Sequence, residues 1–199
     1  PSAMCRLEAA GAALCERSLA DTRALMAEIG IEDQLSQTGC LSLYANEAEF
    51  QADRERIDML DRFRFDYEVL DAPAISRLEP EITSQIAKAV LLPDNRTVTD
   101  PLKIVRRLVE RFEALGGVVR RADVTGFERG ERISGVRLGT EVLRADGVVL
   151  CAGAFTARLS KLLDEPMPLE TERGYHTQIM APGIEMAHSI IWPAKAFMV

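Results

Sequence analysis

Near the C-terminal end of the sequence, Arg173, Tyr175 and His176 carry side chains able to hold a small charged molecule. A guanidinium can grip a carboxylate through two parallel N–H bonds, which fixes orientation as well as position. The plain alternative is a surface arginine paired with Glu170 or Glu172. In an extended segment neighbouring side chains alternate, so at most one of Tyr175 and His176 shares the side of Arg173. His176 is a candidate base by residue type, but a lone histidine is more often structural. These three are candidate substrate-binding residues, and no catalytic residue is assigned.

A second cluster, Cys151-Ala152-Gly153, follows the apolar run Val148-Val149-Leu150. That run reads as a buried strand, and the small residues read as a turn into a helix over 154–163. Side chains this small let a ligand approach the backbone, and a helix N-terminus just past a strand favours an anion. A tight packing turn would look the same. Cys151 itself reads as a buried small hydrophobe rather than a reactive thiol. Metal chemistry is not expected. Cysteines 5, 15, 40 and 151 lie far apart and the two histidines, 176 and 188, are twelve residues apart, whereas zinc ligands come in close pairs.

Several elements must position these groups. Helix periodicity runs over 7–29 and stops at Gly30. Residues 39–44 alternate as a strand, and Asn46-Glu-Ala-Glu49 forms a capping box for a helix reaching about Phe63. Leu43 and Tyr44 face opposite sides of that strand, as core residues or pocket lining. The run 54–62 reads as a solvated helix face with charge pairs four apart. A short strand over 65–70 precedes a helix over 72–78 capped by Asp71, and 86–93 is a further strand. Asp100-Pro101 opens the clearest helix, with Leu102, Val105, Leu108, Val109 and Phe112 on one face and Gly116-Gly117 at its end. Short strands at 118–119, 124–128, 133–138, 141–144 and 147–150 then suggest a β-meander. Extended segments follow the helix at 168–180 and 189–192, and 196–199 reads as an interrupted strand.

The chain has 199 residues, 47% apolar and 28% charged, with a net charge of −7 from 24 basic and 31 acidic residues. This is the composition of a globular domain with a real core. No Lys/Arg cluster points to nucleic acid. The longest nearly apolar run, 147–155, has nine residues, far short of the roughly 20 of a spanning helix. Four scattered cysteines predict reduced thiols and a cytoplasmic setting, with peripheral attachment to the inner membrane left open.

Seven stretches in order along the chain carry a resemblance: Thr38–Tyr44, Leu78-Glu-Pro80, Val98–Leu102, Ala114-Leu-Gly-Gly117, Val124–Glu128, Ala145–Phe155 and Pro168–His176. Together they resemble the FAD-dependent oxidoreductases of the D-amino-acid oxidase superfamily, and D-amino-acid dehydrogenase small subunits most. The resemblance implies an α+β fold: the antiparallel or mixed sheet of a substrate domain, plus the meander and strand-turn-helix of an FAD-binding domain. It assigns 1–97 to helices and the first part of the substrate domain, 98–165 to the FAD-binding domain, and 166–199 to a return into the substrate domain. It also implies that Val124 lies against adenine, that Cys151, Ala152 and Gly153 pass the cofactor, and that Arg173-Gly174 leads towards the flavin and substrate. The implied reaction is oxidative deamination of a D-amino acid or related amine, which needs no strong protein base. One departure is large. No two of the 13 glycines are separated by a single residue, so the G-x-G-x-x-G turn that seats the FAD pyrophosphate is absent. The expectation is an internal fragment of a flavoenzyme that retains no FAD by itself, or else a non-catalytic scaffold derived from the same fold. The partner is a small-molecule amino acid or amine, and the assembly state is left open.

Overall fold

A computed structural model describes residues 3–199. In chain order, α1 (Ala3–Cys15) and α2 (Ser18–Glu28) precede β1 (Cys40–Tyr44), α3 (Glu47–Ala52), α4 (Arg54–Phe63) and β2 (Glu68–Asp71). Next come α5 (Ala72–Leu78), β3 (Lys88–Leu92), α6 (Pro101–Ala114), and the three strands β4 (Gly126–Arg129), β5 (Ile133–Leu138) and β6 (Glu141–Arg144). The chain continues through α7 (Thr156–Lys161), β7 (Ser189–Trp192) and β8 (Phe197–Met198). Contacts gather these elements into two units. The first runs to Gly117 and resumes over Ala181–Val199, and the second is Val118–Met180. The boundaries drawn from sequence at 97/98 and 165/166 concern cofactor and substrate domains, which packing within this chain does not decide.

The first unit is built on a five-stranded sheet of order β2-β3-β1-β7-β8. Its pairs are antiparallel except β1 with β7, which run parallel, Cys40 opposite Ser189 and Ser42 opposite Ile191. The expected apolar–polar alternation of β1 does not make one face wet. All five residues of β1 are buried, Ser42 included, because the strand is central and covered on both sides. Leu41 and Leu43 pack with Ile75, Ile86, Ala89, Ile190 and Trp192. Tyr44 packs with Phe50, Ile57, Leu60 and Val90. Gly39 leads into β1 where any Cβ would collide with the Leu92 carbonyl oxygen.

Three helix starts follow the sequence closely. The side chains of Asn46, Asp71 and Asp100 accept from the backbone N–H of Glu49, Ala74 and Lys103 at 2.9, 2.9 and 3.0 Å. Glu49 reaches back one residue further than expected, to the N–H of Ala45 at 2.8 Å. Two helices expected as continuous are broken. The one over 7–29 splits at Glu16-Arg17, where Ser18 Oγ donates to the Cys15 carbonyl at 2.8 Å and satisfies the end of α1. The one after Asn46 breaks at Asp53, whose carboxylate is drawn to Tyr44 and Arg56 at 2.6 and 2.7 Å. Within the 54–62 run, Arg54 does pair with Asp58 four residues on, at 2.8 Å. The apolar face of α6 is largely exposed; Ile104 and Leu108 pack on Met26, Ile29, Ile31 and Leu35.

In the second unit β4, β5 and β6 form the antiparallel meander, with a bulge at Glu128/Arg129. The strands expected at 118–119 and 147–150 do not pair among the described residues. Val149 is 88% exposed, so the buried strand read there is corrected. An apolar run is buried only where neighbouring strands and helices cover it, and no described strand of this unit lies beside it. The helix expected over 154–163 begins as a 3₁₀ turn at Gly153–Phe155 and is helical only over Thr156–Lys161. The segment 165–188 forms no strand. Among the described residues no helix is long and apolar enough to cross a membrane.

Candidate functional site

The second unit holds a cleft of about 800 Å3 between residues 122–125, the turn at Ala152 and the start of α7. Val124 and Ala152, both partly buried, line it together although 28 residues separate them. The meander fixes the first wall, since Thr125 N–H donates to the Arg137 carbonyl at 2.9 Å beside β4. Buried Thr156, Leu159 and Ser160 seat α7 behind the second. Gly153 adopts φ +52°, a left-handed conformation that favours glycine, with open space where a Cβ would stand. Arg158 adds a cation to the lining and Asp123 an anion.

Cys151 and Gly153 flank Ala152 in sequence but are exposed and do not line the cleft. The reading of Cys151 as buried is therefore corrected: with Val148–Leu150 unladdered, nothing covers its thiol. Arg173, Tyr175 and His176 are also exposed, Tyr175 by 87%, on the unpaired segment before Ala181. None of the three lines the cleft. Among the described residues Arg173 forms no ion pair with Glu170 or Glu172. No group of three His, Cys, Asp or Glu among the described residues converges to hold a metal.

Sequence reasoning missed two polar networks in the first unit. Glu79, 1% exposed at the end of α5, accepts from the N–H of Ala187 at 3.2 Å and of His188 at 2.6 Å. His188 Nδ1 lies 2.7 Å from the same Glu79 oxygen that the His188 N–H reaches. This clamp fixes the approach to β7, and its only sequence signal is a carboxylate between a leucine and a proline at a helix end. The second network joins Tyr44, Asp53 and Arg56. Tyr44 donates to Asp53 and accepts from Arg56 Nη2, each at 2.6 Å. Burial first, then the bond to Asp53, pushes the Tyr44 phenol up to about 12.

An α+β chain with a mixed five-stranded sheet, a separate three-stranded meander and an Ala-Gly turn over a cleft matches the expected class of protein. Residues 2–198 match the family described as FAD dependent oxidoreductase, so the chain belongs to that family. It is 26% identical over 166 residues to D-amino-acid oxidase of Bradyrhizobium diazoefficiens, covering 80% of this chain and 38% of that protein. In fold it is similar to L-proline dehydrogenase from P. horikoshii, with a TM-score of 0.70, 17% identity, and coverage of 90% of this chain and 49% of that one. Glycine oxidase from Geobacillus kaustophilus gives a TM-score of 0.67 at 18% identity, with coverage of 92% and 50%. The chain thus spans half or less of each relative's length.

The residues present fit FAD only in part. The cleft offers one backbone edge at 122–125 and one small-residue turn at Ala152. A glycine-rich pyrophosphate cradle is absent from the sequence.

Proposed function

We propose that this chain is the middle of a longer FAD-dependent oxidoreductase that oxidises the carbon–nitrogen bond of a D-amino acid or related amine. The observation that carries this reading is the family match over residues 2–198. The similarity to a D-amino-acid oxidase supports the substrate class. Bound FAD supplies a hydride acceptor at flavin N5, and the oxidised substrate is an imino acid that water converts to a keto acid and ammonia. The chain's own residues bind and orient. The backbone at Val124 would lie against the adenine, and the turn Cys151-Ala152-Gly153 would pass beside the cofactor. Arg173 holds the substrate carboxylate through its guanidinium fork, flanked by Tyr175 or His176. The wide spacing of the four cysteines along the sequence supports a cytoplasmic setting.

Two observations test this. A G-x-G-x-x-G turn encoded upstream of Pro1 supports the flavoenzyme, and its absence removes the reading in favour of a non-catalytic scaffold. In the complete enzyme, Arg173→Ala is expected to raise KM for an amino acid far more than for the matching amine without a carboxylate. The loss is about 2–4 kcal/mol, that of a charged hydrogen-bonded pair broken in a partly dry site. Equal effects on the two substrates would make Arg173 a surface residue.

A further inference from the structure

Two helices of the first unit meet without packing closely. Helix α1 buries none of its described side chains, and an ion pair from Glu8 to Arg62 at 2.5 Å ties it to α4. Glu8 also lines a cleft of about 580 Å3. Gly11 and Ala12 line it from α1, and a Cβ added at Gly11 would meet nothing within 4 Å. Met59, Leu60 and Phe63 line it from α4, Leu60 buried and the other two half-buried. Where two helices pack tightly such a space is filled by side chains. Here small residues on one helix leave an apolar wall on the other uncovered.

The charges on the lining are unbalanced. It carries the carboxylates of Glu8, Glu16, Asp66 and Asp94 and a single cation, Arg56. Glu8 is answered by Arg62, and Arg56 by Asp53 at 2.7 Å. The side chains of Glu16, Asp66 and Asp94 are exposed and form no hydrogen bond or ion pair among the described residues. An apolar wall beside three unanswered carboxylates selects by charge. It repels an anion and offers a neutral hydrocarbon no polar partner, whereas a cation with a hydrocarbon body suits both parts of the lining.

We propose that this cleft binds an organic ammonium ion, with its hydrocarbon body between α1 and α4 and its charge among Glu16, Asp66 and Asp94. The proposal is independent of the oxidoreductase reading, since neither flavin nor Arg173 takes part.

The test uses the 199-residue chain labelled with 13C-methyl methionine and titrated with 4-phenylbutylammonium, 4-phenylbutanol and 4-phenylbutanoate. Met59→Leu identifies the Met59 signal by its loss. The amine is expected to shift that signal saturably, the alcohol to bind about tenfold more weakly, and the carboxylate not to bind. Added salt should weaken the amine, because exposed charges are screened. Exchanging the three carboxylates together, Glu16→Gln, Asp66→Asn and Asp94→Asn, should weaken the amine about tenfold and leave the alcohol unchanged. Ala12→Phe fills the cleft from α1 and should abolish the shift. If that variant fails to fold, the three ligands and the carboxylate exchange decide. No Met59 shift with the amine overturns the proposal, as does equal binding of the alcohol. A Met59 signal that moves with protein concentration alone overturns it in favour of a second copy of the chain.

Discussion

Tyr44 ends the central strand with its hydroxyl caught between two charges. It donates to Asp53 Oδ2 and accepts from Arg56 Nη2, while Arg56 Nε reaches the same Asp53 oxygen at 2.7 Å. The ring itself packs edge-on against Phe50, with centroids 5.3 Å apart. The fold therefore prefers the neutral phenol, and burial with the Asp53 bond raises its pKa from 10.0 to about 12. The folded value lies above the unfolded one, so the native state holds more protons between them and stability falls as pH rises. The contribution is complete below about pH 10 and is lost through about pH 12, up to about 2 kcal/mol. Urea unfolding of wild type and Tyr44→Phe across this range isolates it. At pH 8 the wild type should be more stable by about 1–2 kcal/mol, and that advantage should disappear by pH 12. An advantage that stays constant with pH would mean that the phenol does not titrate against the fold.

At the scale of elements, Glu79 ties the end of α5 to the start of β7, two parts of the chain more than a hundred residues apart. Glu79→Ala would leave the N–H groups of Ala187 and His188 and the imidazole without their shared acceptor. A loss of about 3 kcal/mol in urea unfolding is expected, with a smaller loss for Glu79→Gln, which keeps one acceptor oxygen. A loss under about 1 kcal/mol for Glu79→Ala would show that β7 docks by its apolar contacts alone. The same contrast between near and far explains what the sequence made legible. The caps at Asn46, Asp71 and Asp100 depend on residues three positions away, and all three formed. The break at Asp53 depends on Tyr44 across a strand end, and the Glu79 clamp on residues 187 and 188, so periodicity carried neither. Val148–Leu150 has the composition of a buried strand, but burial is a property of its neighbours. Val124 and Ala152 line one cleft from 28 residues apart, a meeting that no local pattern carries.

For the whole molecule, the question is whether what is present can hold a dinucleotide. The second unit supplies a cleft with Val124 on one side and Ala152 on the other, and a cation at Arg158. FAD carries its two negative charges on the pyrophosphate, which in this family of folds rests on glycines at a helix N-terminus. No glycine pair of that spacing occurs in the 199 residues. Arg158 sits within α7, a helix of six residues, too short to build up a dipole comparable with that of a full βαβ turn. Binding through this cleft alone must still overcome the lost translational and rotational freedom of the cofactor, at least about 4 kcal/mol. The 199-residue protein is therefore expected to purify colourless and to reduce no dye acceptor with D-amino acids. Added FAD should separate from it on gel filtration. A yellow chromophore that co-elutes at one equivalent would show instead that another part of this chain seats the pyrophosphate, and Arg158→Ala would then be the first variant to measure.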